Sequence, residues 1–251
     1  MSDRTDGLRH VEHVMGTVFS FDIRGTVTRD IRRALAEAVA WLHEMDAVFS
    51  TYRADSAISR LSRGESTVDR CPEVVAEVLE LCAEATRVTG GFFTVTPGGR
   101  LDPSGLVKGW AVERASRILY ESGAHDTYVN GGGDLQLRGE ASPGVPWRIG
   151  IAHPRSRDRL IAVVDGRDLA VATSGTAERG AHVLDPRTGL PASGLLSITV
   201  TGRSLTRADV FATAAFAMGD GARSWIVSQD GYEAMAVTAD GRTWQSDGFP
   251  S

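Results

Sequence analysis

The spacing of hydrophobic residues changes between the two halves of this 251-residue chain, and that change limits the folds open to it. In the first half, apolar residues recur every three or four positions, the period of a helix with one buried face. In the second half they alternate or form short runs bounded by turn residues, as in β-strands. The pattern predicts an α+β or mixed α/β fold, with helices mainly in the first half.

Start and stop residues place these elements along the chain. The predicted helices cover residues 30–49, 72–89, 105–123 and 207–218. The predicted strands cover residues 18–23, 127–129, 135–137, 147–151, 160–164, 169–173, 196–201 and 233–238. Asp-Gly pairs at residues 165–166 and 240–241 predict hairpin turns. No repeat or low-complexity linker interrupts the elements, so we expect one unit over residues 1–251, or two intimate subdomains without a linker.

The charge balance excludes one class of partner. Lys and Arg total 27 against 32 Asp and Glu, a formal net charge of -5, which argues against binding to nucleic acid. No apolar run has the length of a signal peptide or a membrane span, so we expect a cytoplasmic protein without membrane insertion. Cys71 and Cys82 lack metal or redox spacing, which predicts two reduced thiols in or near the core.

The segment DPSGLVKGWAVERA, residues 102–115, combines Asp102, two glycines and Lys108 at the start of a predicted helix. Main-chain N–H groups at a helix start attract anions, Gly105 and Gly109 permit close approach, and Lys108 adds a charge. The pattern matches neither the Walker loop nor the dinucleotide-binding motif. A phosphate-binding turn and a helix cap with a solvated lysine both remain open.

A second segment, VNGGGD, sets three glycines and Asp134 between two predicted strands. Three successive glycines exceed what a turn needs, which favours a backbone surface, including Gly132 and Gly133, pressed against a ligand. The alternative is a glycine-rich turn in which Asp134 caps its own backbone.

A polar segment, TSGTAERGAHVLDPRTG, follows a predicted strand at residues 173–189. Loops of this kind often display reacting groups, so His182 is a candidate base, although a structural histidine is the alternative. The stretch DPRTG, residues 185–189, predicts a turn.

Asp209 and Thr213 lie four positions apart and therefore share one face of the last predicted helix. A carboxylate and a hydroxyl among small residues offer oxygen ligands to a hard cation such as Mg²⁺. The alternatives are a hydroxyl bonded back to its own helix and a carboxylate that interacts with the helix dipole.

Six segments, taken in order, resemble the ApbE family of FAD:protein FMN transferases. They are MGT from Met15, FSTYRADSAISRLSRGE from Phe49, DPSGLVKGWAVERA, VNGGGD, ATSGTAERGAHVLDPRTG and ADVFATAAFAMG. The resemblance implies an α+β fold in which helices pack on an antiparallel-rich sheet, with an FAD site in the cleft between the two parts. It also implies a Mg²⁺-dependent enzyme that moves FMN from FAD to a Thr or Ser hydroxyl of an acceptor protein with a flavinylation motif, and releases AMP.

The resemblance also implies roles for individual residues. The expected FAD contacts are Met15, Tyr52, Asp102, Lys108, Gly132, Gly133, Thr173, Ser174 and Val183. The expected catalytic residues are His182, as the base, and Lys108. The expected Mg²⁺ ligands are the main-chain carbonyl of Gly105 and the side chains of Asp209 and Thr213.

Two positions depart from the family pattern. Where family members commonly read G-x-F-D-x-T before DPSG, this chain has Phe93 in place of the acidic residue. Some relatives carry a second carboxylate one residue before the metal-binding Thr, where this chain has Ala212. We therefore expect few protein oxygens at the metal, with FAD phosphates and water completing its coordination. An FAD pyrophosphatase and a non-catalytic FAD-binding protein remain alternative functions.

Overall fold

The computed structural model describes residues 6–176 and 183–250, apart from the side chains of Asp6 and Arg157. The helices in these ranges are α1 (Arg29–Phe49), α2 (Ala57–Ser62), α3 (Glu73–Val88), α4 (Ser104–Glu121), α5 (Leu205–Met218) and α6 (Ala222–Ile226). The 3-10 turns are Val68–Arg70, Pro97–Gly99 and Gly219–Gly221. The strands are β1 (Asp6–Val14), β2 (Thr17–Thr26), β3 (Thr127–Gly131), β4 (Asp134–Arg138), β5 (Trp147–His153), β6 (Ser156–Gly166), β7 (Ala170–Gly175), β8 (Leu195–Gly202), β9 (Glu233–Thr238) and β10 (Thr243–Gln245).

Eight strands form one antiparallel sheet in the order β1-β2-β3-β4-β7-β8-β9-β10. Strands β5 and β6 leave this sheet and pair with each other. The α+β expectation is confirmed, with most of the helices in the first half and most of the strands in the second.

The large sheet carries a different cover on each face, because alternate residues of a strand point to opposite sides. Ala172 of β7 and Ile198 of β8 belong to the main core, together with the buried faces of α1, α4 and α5. Val171, one residue from Ala172, packs instead with Ile151 and Val164 of the β5–β6 hairpin. The sheet therefore lies between a helical layer and a hairpin.

Helix α5 is buried almost all round, which its small residues permit. Its buried residues are Leu205, Ala208, Asp209, Val210, Phe211, Ala212, Ala214, Ala215, Phe216 and Ala217. A helix that is apolar on every side belongs inside a protein, and α5 packs between α4 and strands β7 and β8. Asp209 is thereby carried into the interior.

The structure corrects one predicted turn. Asp165 and Gly166 continue β6 and pair with Arg148 and Trp147 of β5, so the predicted turn at residues 165–166 is wrong. The pairing keeps these residues in the β5–β6 hairpin, and residues 167–169 connect β6 to β7 in the large sheet. The turn predicted at residues 240–241 is confirmed between β9 and β10. Within the described ranges, no helix is long and apolar enough to cross a membrane.

Candidate active site

Lys108, near the start of α4, lies between two buried carboxylates. Its Nζ is 3.2 Å from Oδ2 of Asp209 on α5 and also contacts Oδ2 of Asp134 on β4. Asp134 is 2% exposed and Asp209 is 5% exposed, whereas the Lys108 side chain is 21% exposed. Buried charges need partners, and here one ammonium serves two carboxylates. The solvated-lysine alternative is therefore wrong.

Lys108 is also the only lysine in the chain. All the other residues in the combined count of Lys and Arg are arginines. An ammonium is a compact point charge, whereas a guanidinium is a planar fork that suits bidentate partners. A single lysine in an arginine-rich sequence could therefore have identified position 108 as a candidate functional residue from the composition alone.

Gly109 lets α4 and α5 approach at the site. Its N–H donates to Oδ2 of Asp209 at 3.0 Å. A Cβ at this position would lie 2.8 Å from Cβ of Asp209 and 2.9 Å from the carbonyl oxygen of Leu205, which is too close. In a regular helix the Gly109 N–H donates to the carbonyl of Gly105, so Asp209 competes with that carbonyl for the donor. This competition favours the availability of the Gly105 carbonyl to a further ligand.

Thr213, one turn after Asp209, has its hydroxyl 3.4 Å from the hydroxyl of Ser174 on β7. The Thr213 hydroxyl therefore reaches another element of the fold. In the part of the chain that the structure describes, no three His, Cys, Asp or Glu side chains form a metal-binding group. The Asp209 carboxylate, the Thr213 hydroxyl and the Gly105 carbonyl are all oxygen donors, and such a sparse set fits Mg²⁺, which keeps several ligands from water or phosphate.

Asp134 was not among the residues expected to act in the site. Its Oδ1 accepts the N–H of Thr173 on β7 at 2.9 Å, while Oδ2 contacts Lys108. The alternative in which Asp134 caps its own backbone is therefore wrong. A charged residue that opens an otherwise buried strand needs a partner elsewhere, and that requirement is the sequence signal for Asp134.

The three glycines before Asp134 have different surroundings. A Cβ on Gly131 would lie 2.7 Å from Cε1 of Phe19, and one on Gly132 would lie 2.8 Å from Oγ1 of Thr17. A Cβ on Gly133 would meet no described atom within 4 Å. Packing inside the protein thus explains the first two glycines, and Gly133 presents the backbone that is open to a ligand.

Met15 lies in the turn between β1 and β2. Its φ is 53°, an uncommon value for a residue other than glycine, and Gly16 follows with a φ of 68°. The N–H of Gly132 donates to the carbonyl of Val18 at 3.1 Å, which joins the start of β2 to the β3–β4 turn. The structure therefore places the start of β2, two residues after Met15, against Gly132.

Asp102 caps the start of α4. Its Oδ1 accepts the N–H of Ser104 at 3.0 Å, and its own N–H donates to the carbonyl of Val95 at 2.8 Å. Phe93, which replaces the acidic residue of the family pattern, is 2% exposed. A Cβ on Gly105 would lie 3.3 Å from the Phe93 ring, so this ring packs against the first turn of α4.

The side chains of Tyr52, Thr173 and Val183 form no hydrogen bond or ion pair with Lys108, Asp134 or Asp209. Tyr52, in the loop after α1, is 99% exposed. The Thr173 hydroxyl pairs with that of Thr199 at 2.8 Å, so only the Thr173 N–H reaches Asp134. Val183 is half-buried against the main core, and its carbonyl accepts the N–H of Ala192 at 2.9 Å. His182, the expected base, lies outside the described residues.

The segment after Val183 forms the turn that the DPRTG stretch predicts. The N–H of Gly189 donates to the carbonyl of Asp185 at 2.8 Å, and Gly189 has a φ of 69°. The Arg187 guanidinium lies 4.1 Å from the centre of the Phe92 ring. A cation–π contact therefore holds the turn against the segment that precedes Asp102.

The protein has an α+β fold in which helices pack on an antiparallel sheet. Its candidate site is a buried group of charges, in which one ammonium contacts two carboxylates where α4 meets α5. The model of the ApbE family matches residues 15–100 and 96–236. The chain therefore belongs to the ApbE family.

Curated relatives carry the name FAD:protein FMN transferase. The protein of Escherichia coli K12 is 30% identical over 164 residues, which span 60% of this chain and 47% of the relative. The protein of Vibrio cholerae serotype O1 is 27% identical over 268 residues, which span 82% of this chain and 80% of the relative. The chain thus spans about half the length of the Escherichia coli relative.

Solved structures share the fold. The flavin transferase ApbE from Vibrio cholerae superposes with a TM-score of 0.82 at 23% identity, over 97% of this chain and 98% of that one. The ApbE protein from Thermotoga maritima superposes with a TM-score of 0.85 at 22% identity, over 96% of this chain and 97% of that one. At these identities the likeness establishes the architecture alone.

Proposed function

We propose that this chain is a Mg²⁺-dependent FAD:protein FMN transferase. It moves the FMN half of FAD to a Thr or Ser hydroxyl of an acceptor protein and releases AMP. The observation that carries the proposal is the convergence of Lys108, Asp209 and Gly109 where α4 meets α5, inside segments that resemble the family motifs. The names of the relatives support the same activity.

Transfer of FMN is phosphoryl-type chemistry, so the protein chiefly positions the reactants and neutralises developing charge. Lys108 supplies the positive charge beside the pyrophosphate of FAD. The N-terminus of α4 faces the same charge, and Asp102 fixes the direction in which this helix starts. Gly133 and Met15 lie at the turns that contact the bound FAD, where main chain can approach the substrate closely.

Asp209, Thr213 and the Gly105 carbonyl would hold Mg²⁺. Such a cation would supply Lewis-acid polarisation of the pyrophosphate, which favours the release of AMP. Gly109 lets α4 approach α5 closely, so that oxygen ligands on both helices could bind the same ion. Ser174 lies beside Thr213 and orients its hydroxyl.

His182 accepts the proton of the acceptor hydroxyl. A hydroxyl is a poor nucleophile at neutral pH, and an imidazole with an ordinary pKa of about 6.5 is a suitable base. The redox chemistry of the flavin is not used. The proposed acceptor is a protein with a Thr-containing motif resembling D-x-x-T-G-A-T-x-T. Residues 1–251 would act as one unit in this reaction.

The test is incubation of the purified chain with FAD, Mg²⁺ and an acceptor domain that carries the motif. Mass analysis after denaturation should find the acceptor heavier by one FMN, with AMP released in equal amount. An acceptor with Val in place of the modified Thr, and the Asp209→Ala enzyme, should both give no product. AMP and free FMN formed without acceptor would indicate a pyrophosphatase, and intact FAD after long incubation would indicate a binding protein.

A further inference from the structure

Asp209 already has two donors on one oxygen. Its Oδ2 accepts the N–H of Gly109 at 3.0 Å and lies 3.2 Å from Nζ of Lys108. A divalent cation on this carboxylate would stand within a few ångströms of the ammonium, and like charges at that separation repel strongly in a buried site. Lys108 and a metal ion would therefore compete for Oδ2 of Asp209.

Asp134 is the carboxylate that Lys108 can keep. Among the described residues, Lys108 forms ion pairs with Asp134 and Asp209. Asp134 is 2% exposed, and its second oxygen is tied to the N–H of Thr173 on a central strand. Its position is thus set by the sheet, independently of α5.

We propose that Asp134 is a positioning residue that retains the Lys108 ammonium when a divalent cation binds Asp209. Lys108 then changes from a bridge between two carboxylates to a partner of Asp134 alone. The inference rests on the metal site of the proposed function, and it adds a residue to which the resemblance assigns no role.

The proposal predicts opposite effects of two substitutions on metal affinity. Lys108→Met removes the cation that competes for Asp209, so a divalent ion should bind several-fold more tightly. Asp134→Asn leaves Lys108 with Asp209 as its remaining carboxylate, so the metal must break that pair and should bind about tenfold more weakly. Asn keeps an amide oxygen for the N–H of Thr173, which preserves the local hydrogen bond.

The experiment is a double-mutant cycle on Mg²⁺ affinity, measured by calorimetry on the whole chain with and without FAD and without acceptor. Asp134→Asn should weaken binding about tenfold when Lys108 is present and less than about threefold in the Lys108→Met background. Asp22→Asn is the matched control, because Asp22 is a buried carboxylate paired with Arg9 and Arg24 on the outer strands and should leave Mg²⁺ affinity unchanged. Thermal unfolding of each variant reports whether it folds.

A second measurement uses the single lysine. Isotope labelling of lysine gives one side-chain signal, that of Lys108, which needs no further assignment. In the wild-type chain, addition of Mg²⁺ should change the chemical shift of this signal and leave it sharp, because the ammonium stays ordered. In the Asp134→Asn variant, Mg²⁺ should instead release the ammonium to solvent and broaden the signal.

The outcomes are distinguishable. Equal effects of Asp134→Asn with and without Lys108, or Mg²⁺ affinity that Lys108→Met leaves unchanged or weakens, would overturn the inference while leaving the transferase proposal intact. If Asp134→Asn does not fold, Lys108→Met alone still decides. Mg²⁺ binding that does not depend on Asp209 would overturn this inference together with the metal part of the proposed function, although flavin transfer to the acceptor would still be measured separately.

Discussion

At the scale of single residues, the surroundings of Lys108 decide its chemistry. An ammonium held between Asp134 and Asp209 has a fixed position, so little side-chain entropy remains to be lost when a phosphate binds. Replacement of this lysine by arginine should disturb the site, because a planar guanidinium cannot keep the same contacts with the two carboxylates.

Lys108→Ala should weaken FAD binding by roughly tenfold to a hundredfold, since a charge-assisted contact contributes on the order of 1.5 to 3 kcal/mol. Lys108→Arg should restore only part of this loss. Quenching of flavin fluorescence measures the affinity, with Asp22→Asn as the control for removal of a buried charge elsewhere. Wild-type affinity in the alanine variant would remove Lys108 from the FAD site.

Cys82 provides a prediction from a pKa. Burial raises the pKa of this thiol to about 12, whereas Cys71 is half-buried. At pH 8 a thiol reagent should label Cys71 in the folded chain and Cys82 only after unfolding, because the thiolate is the reacting form. Rapid labelling of both thiols in the native protein would contradict the buried position of Cys82.

The sign of the stability change follows from the same shift. The folded state keeps the Cys82 proton at pH values where the unfolded thiol, with an ordinary pKa of about 8.5, has lost it. The stabilisation that Cys82 contributes is therefore complete below that pH and decreases as the pH rises toward 12. Urea unfolding of the wild-type chain and of Cys82→Ala between pH 7 and pH 10 would measure the difference.

At the scale of elements, the contact between α4 and α5 creates the site. Glu113 of α4 accepts three hydrogen bonds on Oε2, from the hydroxyl of Ser204 and from the N–H and hydroxyl of Thr206, at 2.7 to 2.8 Å. Gln136 of β4 accepts the N–H of Leu205 at 3.3 Å. These side chains satisfy the free N–H groups at the start of α5 and set where Asp209 lies, one turn later.

Gly109→Ala should separate α4 from α5, because the added Cβ meets both Asp209 and the backbone of Leu205. We expect the free energy of unfolding to fall by about 1 to 3 kcal/mol and Mg²⁺ affinity to fall with it. Urea unfolding and calorimetry measure the two effects, and Glu121→Ala on the exposed side of the same helix is the control. A variant with normal stability and normal Mg²⁺ binding would show that this approach is not required.

Glu113→Ala should destabilise the chain by about 1 to 3 kcal/mol, since it leaves the polar groups at the start of α5 unsatisfied. Glu113→Gln keeps one acceptor oxygen and should lie between the wild type and the alanine variant. Chemical unfolding of the three proteins tests this order, and equal stability of all three would contradict the capping role.

At the scale of the whole molecule, the helical layer and the large sheet share one core. Leu42 of α1 is fully buried in it, whereas Leu160 of β6 is 60% exposed on the hairpin. Stability should therefore respond strongly to the helical layer, even at positions remote from Lys108.

Leu42→Ala should lower the free energy of unfolding by about 2 to 5 kcal/mol, because it removes buried methyl groups and leaves a cavity. FAD affinity at a temperature where the variant is folded should stay near the wild-type value. Leu160→Ala is the matched control and should change stability by less than about 0.5 kcal/mol. An equal loss from both substitutions would contradict the assignment of the core to the helical layer.

The elements with a strong hydrophobic period were predictable from the sequence. The predicted helices at residues 30–49, 72–89, 105–123 and 207–218 correspond to α1, α3, α4 and α5. Strand β1 was missed because it lies at the edge of the sheet and its sequence, DGLRHVEHV, mixes charged residues and histidines with only three large apolar residues. Helices α2 and α6 are too short, at six and five residues, to show a period.

The sequence by itself determined the chemical character of the candidate site, because Asp102, Lys108, Asp209 and Thr213 lie in motifs short enough to be read locally. Only the tertiary structure decided that Lys108 meets Asp209, 101 positions later, and that Asp134 takes the other side of the same ammonium. Such contacts depend on how closely α4 packs on α5 and on which face of β4 turns inward, and local sequence patterns specify neither. The sequence indicates that a buried carboxylate needs a charged or polar partner, but the packing of the whole chain determines which residue is that partner.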